Sequence, residues 1–470
     1  MSSINVDILK PTSAFTIPKV TTAQRNAGSY TNGSIIYNTD TNVAQVLTAT
    51  KGWLNIGSGK IIATGGTKTT PGDGWVYHAF TSTGTSTFEI TSVGFQAYCE
   101  VLVVAGGGGG GGSHSGGGGG GAGGIVWNPI WYPKTGIYTV TVGAGGLGGP
   151  PGSFNTNGYY YTGQGDGTFF HGRRGGNSSI VHSTDSQLRM LAIGGGGGME
   201  SFYTNNSQRS VGNSNGTGHE ERDGGCGGGS GDFYQGIQSW VTHNTGGRTI
   251  QGNFGGFGYG NSGGSRYAFG VGPHNGPYGR KPNGDYPQGN GGGDGGYVPV
   301  YNGMNGHGQD YTHGQPHEGA GGGGCGGYEL GRMGSDTNGS ANVNWPANVR
   351  GWGASAPGAG GPGRFFPGFI YWGTNQTNGT SGTLGWFGGG GDGGQYYYTT
   401  NGQRGPNNKG GGGGQGSHWD PNYNQAAGNG LPNTGGGGGG GSSNNNGGGV
   451  QGGTRAGSGG SGIVIIRYKE

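Results

Sequence analysis

The residues of this chain that could do chemistry fall into two groups, and the catalytic group is thin. His313 and His317, followed by Glu318, have the H-x-x-x-H spacing that sets two imidazoles on one helix face, but Gly314 and Pro316 forbid a helix there. His219–Asp223 puts His, two Glu, Arg and Asp in a row, a pattern that reads as a solvated turn before it reads as a metal site. No serine elbow, Walker-type phosphate loop or carboxylate pair stands out. Glycine-spaced nucleotide motifs carry no information in a chain with 132 glycines. The residues therefore name no catalytic group, no cofactor and no metal.

The second group is aromatic. The chain holds 25 Tyr, 16 Phe and 10 Trp, concentrated in inserts that also carry Asn and Thr. Rings stack on the apolar faces of sugars and amides bond to hydroxyls, so such inserts suit recognition of a glycan or a protein surface. The clusters selected as candidate receptor-binding residues are Tyr159, Tyr160 and Tyr161; Phe365, Phe366, Tyr371 and Trp372; Trp386; Tyr396, Tyr397 and Tyr398; and Trp419. A plainer reading stands beside this one: the rings cover the scaffold and supply its missing apolar core.

The elements that must position these residues are glycine blocks. They recur from Gly106–Gly112 and Gly116–Gly124 through Gly194–Gly198, Gly224–Gly231, Gly319–Gly327, Gly388–Gly394, Gly410–Gly416 and Gly435–Gly441 to Gly457–Gly462. Helix is excluded, because each Gly costs about 1 kcal/mol against Ala. As ordinary strands the blocks would have no side chains to pack, and collagen would need a G-X-Y period that is absent. Two states remain: disordered low-complexity chain, or polyproline II helices packed directly on one another and bonded through their outward N–H and C=O groups. An aromatic content of 11% argues against disorder, so the blocks are read as a bundle of polyproline II helices clamped by short strands. At about 3.1 Å per residue a seven-residue block spans roughly 22 Å. Ala122, Cys226, Ala320 and Cys325 are expected where a small side chain fits. The aromatic inserts then fall at the ends of the bundle as loops.

Outside the blocks, residues 1–60 read as a small β module of hairpins with Gly33–Asn38, Val43–Leu47 and Gly52–Ile56 as strands. It serves either as a cap or as the point of attachment or oligomerisation. Residues 61–104 read as a β lead-in, with Trp75–Phe80, Thr87–Ile90 and Cys99–Val104 as strands. Cys99–Val104 enters the first block and Ile463–Tyr468 leaves the last, so the two are expected to share a sheet that clamps the glycine region 105–470. Ile137–Val142 and Leu188–Ile193 are expected to join that sheet. The predicted fold class is mostly irregular and all-β. A net charge of +3 gives no basic face for nucleic acid, and three Cys read as small buried fillers. Neither a signal peptide nor a membrane span is visible, so an outer-surface protein of this kind is expected to leave its cell by lysis, in a virus particle.

Ile17-Pro-Lys-Val-Thr-Thr-Ala-Gln-Arg-Asn26, with Gly33-Ser-Ile-Ile-Tyr-Asn-Thr-Asp-Thr41 and Gly52-Trp53, resembles the N-terminal module of bacteriophage tail-fibre and other phage structural proteins. Val101-Leu-Val-Val-Ala-Gly-Gly107, Tyr138-Thr-Val-Thr-Val-Gly-Ala-Gly-Gly146 and Gly459-Gly-Ser-Gly-Ile-Val-Ile-Ile-Arg-Tyr468 resemble the glycine-rich domain of many phage fibre proteins. More distantly the chain is similar to the adhesin at the tip of the long tail fibre of T-even-like phages, from which it departs at its N-terminus. The resemblance implies a virion protein, with the homotrimer of many fibres as a candidate assembly. Residues 1–60 would join it to other virion proteins, and its loops would bind a host cell-surface glycan or protein. The alternatives are a structural virion decoration or filament subunit, an ice-binding protein with regular Thr or Ala faces, and a capsule depolymerase with paired acids in a groove.

Overall fold

The computed structural model describes residues 17–41, 43–56, 60–94, 97–112, 116–150, 171–200, 202–203, 219–231, 233–234, 246–261, 263, 317–318, 321–325, 360–375, 383–396, 410–420, 423–442 and 455–470. Among them the secondary structure is β-strand with almost no helix.

The N-terminal module is a four-stranded sheet in the order β1 (Lys19–Val20), β2 (Ile35–Asn38), β3 (Val43–Thr48), β4 (Gly52–Ile56). One short helix, α1 (Thr22–Ala27), was not anticipated. It has no apolar face to betray it and buries no residue; a capping box forms it, Thr21 Oγ1 accepting from Gln24 N at 3.1 Å and Gln24 Oε1 from Thr21 N at 2.8 Å. A seam of amides crosses the sheet. Asn38 donates to Gln45 at 3.1 Å, Gln45 to Asn55 at 2.8 Å, and Asn55 to Ser92 Oγ at 2.9 Å, which ties the module to the next unit.

That unit is a sandwich of two sheets. Its strands are β5 (Ile62–Thr64), β6 (Thr67–Thr69), β7 (Trp75–Phe80), β8 (Gly84–Ser92), β9 (Cys99–Val104), β10 (Ile125–Trp131), β11 (Gly136–Val142), β12 (Ser178–His182) and β13 (Arg189–Ala192). After two short parallel pieces, β14 (Phe202–Tyr203) and β15 (Phe233–Tyr234), they are completed by β16 (Phe257–Tyr259) and, near the end of the chain, by the closing strand β23 (Ile463–Lys469). The first sheet runs β16-β10-β9-β23-β7-β6 and the second β13-β12-β11-β8-β5.

The expected pairing of the entering and closing strands is present: β23 lies antiparallel to β9 with Ile465 opposite Leu102, and to β7 with Ile465 opposite Ala79. The strands at 137–142 and 188–193 do not join that sheet. They lie in the second one, across the core. Period-2 alternation decides the reason. Val76, Phe80, Val101, Val103, Val464 and Ile466 face Phe88, Ile90, Tyr138, Val140, Ile180 and Met190 in one apolar cluster. The opposite face, with Tyr77, Leu102, Val104, Ile463 and Ile465, is buried against Ala122, Cys226, Cys325, Phe366, Phe369 and Phe387. A sheet covered on both faces reads as continuous apolar runs, as Val101–Val104 and Ile463–Ile466 do.

Glycine segments continue directly from the strand ends, at 104–106, 124–125, 142–143, 193–194 and 462–463. The segment 105–111 shows how they are held. Its N–H groups donate in strict rotation: Ala105, Gly108 and Gly111 to Gly124, Gly121 and Gly118; Gly106 and Gly109 to Gly176 and Arg173; Gly107 and Gly110 to Gly460 and Gly457. Its carbonyls accept in the same rotation: Gly106 and Gly109 from Gly195 and Gly198; Gly107 and Gly110 from Gly146 and Gly149; Gly108 and Gly111 from Gly438 and Gly441. Each partner segment thus returns every third residue. The segment bonds six neighbours, three antiparallel through its donors and three parallel through its acceptors, and no buried backbone group along 106–111 lacks a partner.

The requirement for glycine follows. A Cβ on Gly106 would overlap the carbonyl of Ala144, on Gly107 that of Gly436, on Gly108 that of Gly196, and the same three segments are met again from Gly109 to Gly111. Ala122, Cys226 and Cys325 are admitted where the segments border the apolar cluster under the first sheet, which all three residues join. Ala320 lies outside the described residues.

Candidate functional site

The aromatic residues that the structure brings together lie on the hairpin from 364 to 387. Here β18 (Arg364–Phe365) pairs antiparallel with β19 (Trp386–Phe387), with Phe365 opposite Trp386. Pro367 opens a 3-10 turn over Pro367–Phe369. Gly373 at φ 77° and Gly385 at φ 109° allow the chain to double back, and Thr374 and Trp386 exchange backbone bonds of 3.0 Å.

Neighbouring rings on this hairpin have opposite fates. Phe366, Phe369 and Phe387 are buried in the cluster under the first sheet and fasten the hairpin to it. Phe366, chosen as a candidate contact, is only 3% exposed and is therefore a core residue. Phe365 is 37% exposed and lies 5.6 Å from Trp386, the two rings tilted by 37°. Trp386 in turn lies flat enough on Gly410 that a Cβ there would meet its ring at 2.8 Å. Tyr371 is 43% exposed and stands edge-on to Tyr77 at 5.5 Å; Trp372 is partly buried, 5.1 Å from the same Tyr77.

Polar groups fix the floor of this surface. Tyr77 donates to Asp73 Oδ2 at 2.6 Å, and burial, with that bond second, pushes its hydroxyl up to about 12. The Arg467 guanidinium stacks on Trp75 at 4.1 Å, donates through Nε to Glu100 Oε2 at 2.6 Å and through Nη1 to Tyr77 at 3.3 Å. Glu100 also accepts from Trp127 Nε1 at 2.8 Å, so its buried carboxylate is fully engaged in holding strands together. Lys469 Nζ sits 4.1 Å over the Trp75 ring.

The other candidates are distributed as follows. Tyr396 belongs to β20 (Gln395–Tyr396), opposite His317 of β17 (His317–Glu318). Trp419 belongs to β21 (His418–Asp420), paired with β22 (Tyr423–Gln425). The backbone is described at these positions. Tyr159, Tyr160, Tyr161, Tyr397 and Tyr398 lie outside the described residues, as does His313. His317 is in a strand. The acidic row begins as a short helix, α2 (His219–Arg222), in which Glu221 accepts from Arg174 N at 3.0 Å; Asp223, just beyond it, accepts from Arg248 N at 2.6 Å. These carboxylates secure neighbouring segments. Among the described residues no group of three His, Cys, Asp or Glu could hold a metal ion.

A second exposed aromatic strip escaped sequence reasoning: Phe254 and Phe257, the latter 55% exposed and 6.1 Å from Trp127, at the edge strand β16. The run Phe254-Gly-Gly-Phe-Gly-Tyr259 was its only signal.

A two-sheet β scaffold continued by a glycine lattice, with aromatic rings on the hairpins between segments, defines a glycine-rich all-β protein. The family model for the glycine-rich domain matches residues 81–346, more than half of the chain, and the protein belongs to that family. No curated protein and no solved structure shows significant similarity to it.

Proposed function

We propose that the chain is a fibre or adhesin protein of a bacteriophage particle, in which a bundle of polyproline II helices presents aromatic loops to a receptor on the bacterial surface. The threefold rotation of hydrogen-bond partners along 105–111 supports the bundle, since a polyproline II helix has three residues per turn and no internal bonds. The observation that carries the binding role is the pair of exposed rings Phe365 and Tyr371, held on a hairpin whose adjacent rings Phe366 and Phe369 are locked into the core. A rigid base with outward rings loses little conformational entropy when a sugar face stacks on it. The function is binding rather than catalysis, and residues 1–60 join the protein to other virion components.

The test is binding of the purified protein to intact cells and extracted surface glycans of candidate hosts, beside a Phe365→Ala/Tyr371→Ala variant. Saturable binding by the parent, weakened at least tenfold in a variant with unchanged unfolding midpoint, is the predicted result. If the parent binds no host yet assembles into particles or filaments, the loops are assembly contacts and the protein is a structural virion component.

A further inference from the structure

Two of the three cysteines meet inside the glycine lattice. Cys226 and Cys325 are 99 residues apart in sequence, yet their Sγ atoms lie 3.0 Å from each other. Both are buried, at 0% and 1% exposure. The approach is built by the backbone rather than by a chance of side-chain rotation. Cys226 N donates to Ala122 O at 2.9 Å, Ala122 N to Gly323 O at 2.9 Å, and Gly323 N to Gly227 O at 2.8 Å, so the two cysteine segments are bonded to each other and to a common third. Cys325 N is anchored to Gly388 O at 2.7 Å, and Gly388 has no room for a side chain because a Cβ would meet Cys325 Sγ at 3.0 Å.

We propose that Cys226 and Cys325 are a disulfide site that closes the 222–231 and 321–325 segments into one covalent loop. The reaction is thiol–disulfide exchange with a small disulfide such as oxidised glutathione. One cysteine thiolate attacks the small disulfide and releases a thiol; the second thiolate then attacks the mixed disulfide and releases another. One protein S–S bond forms, one external S–S bond breaks, and the two protons lost from the cysteines end on the two small thiols. Burial holds the Cys325 thiol well above the ordinary cysteine range, so the folded lattice exchanges slowly and the bond forms while the chain folds or opens. The bond constrains the unfolded chain strongly, because it spans 99 residues of a glycine-rich sequence with high conformational entropy. Cys99, buried in the sandwich core, takes no part and serves as the internal standard. The inference holds whether or not the protein binds a host receptor.

The experiment refolds the full chain in a glutathione redox buffer and in a reducing buffer, then counts alkylatable thiols in denaturant. The oxidised sample is expected to show one thiol, Cys99, against three for the reduced sample, a cross-linked peptide joining Cys226 to Cys325, and a higher denaturant midpoint that a phosphine reductant abolishes. A Cys226→Ala variant is expected to keep its two thiols and to lose the redox dependence of the midpoint. Three thiols after oxidation, a bond to Cys99, or equal midpoints for the two forms would overturn the proposal. The thiol count of the parent decides even where the variant fails to fold.

Discussion

At the scale of single residues, the glycine segments are governed by one contact, that between a would-be Cβ and a neighbouring carbonyl. Gly107→Ala and Gly110→Ala each drive a methyl into a backbone oxygen of the 435–441 segment, which cannot swing away as a side chain would. Each should lower stability by about 1–3 kcal/mol, seen as a drop in the denaturant midpoint. Ala122→Gly, which only removes a methyl from the buried cluster, should cost nearer 1 kcal/mol. Equal, negligible effects at Gly107 and Gly110 would mean that the segments are not packed as described.

His78 supplies the pH dependence at this scale. It is buried between the sheets, with Nδ1 2.7 Å from Gly65 O and Nε2 3.0 Å from Tyr468 Oη. Burial lowers its pKa from 6.5, Lys68 adds to the effect, and the Gly65 carbonyl opposes it. The unfolded chain therefore takes up a proton as pH falls through about 6.5 that the folded chain refuses, and stability declines below that pH at up to about 1.4 kcal/mol per unit. Unfolding midpoints between pH 7 and pH 5 should fall more for the parent than for His78→Gln; parallel curves would remove His78 from the account. Reading rings one at a time was where the sequence was least legible. Phe365 and Phe366 are adjacent and identical in type, yet one faces solvent and the other the core, because only the pairing of β18 with β19 and the turn at Pro367 decide which side is which.

Among the elements, the apolar runs at 75–80, 99–104 and 463–468 announced their strands, since a sheet buried on both faces leaves no polar alternation to misread. The assignment of 137–142 and 188–193 to a sheet failed for the complementary reason. Alternation says which residues face inward, but not which of two facing sheets a strand belongs to. Strand β10 was missed because Pro129 interrupts it and a glycine block precedes it, although Trp127 and Trp131 both pack inward. The element most exposed to perturbation is β23, since it is central in the first sheet and carries Arg467. Arg467→Ala strands the carboxylate of Glu100 in a site it shares with Trp127, and should cost about 3–5 kcal/mol in thermal or chemical unfolding. Adding Glu100→Gln should restore part of that loss. No recovery in the double variant would show that the stacking of the guanidinium on Trp75, rather than charge pairing, is what Arg467 contributes.

For the whole molecule, the aromatic content favoured packed glycine blocks over a disordered chain, but how the blocks pack depends on contacts between segments dozens to hundreds of residues apart. No local pattern could choose between a floppy linker and a lattice, because both want glycine. The sandwich makes the choice by holding the ends of five segments at its strand ends, at 104–106, 124–125, 142–143, 193–194 and 462–463, so that each begins in register with its neighbours. Amide hydrogen exchange of the native protein tests this most directly. The account predicts that peptides covering 106–111, 117–124 and 435–441 are as strongly protected as strands β9 and β23, because every amide with a stated partner there is released only when the lattice opens. Exchange of those glycine peptides at the rate of an unstructured chain, with the strands still protected, would contradict the lattice and with it the rigid base on which the receptor loops are proposed to stand.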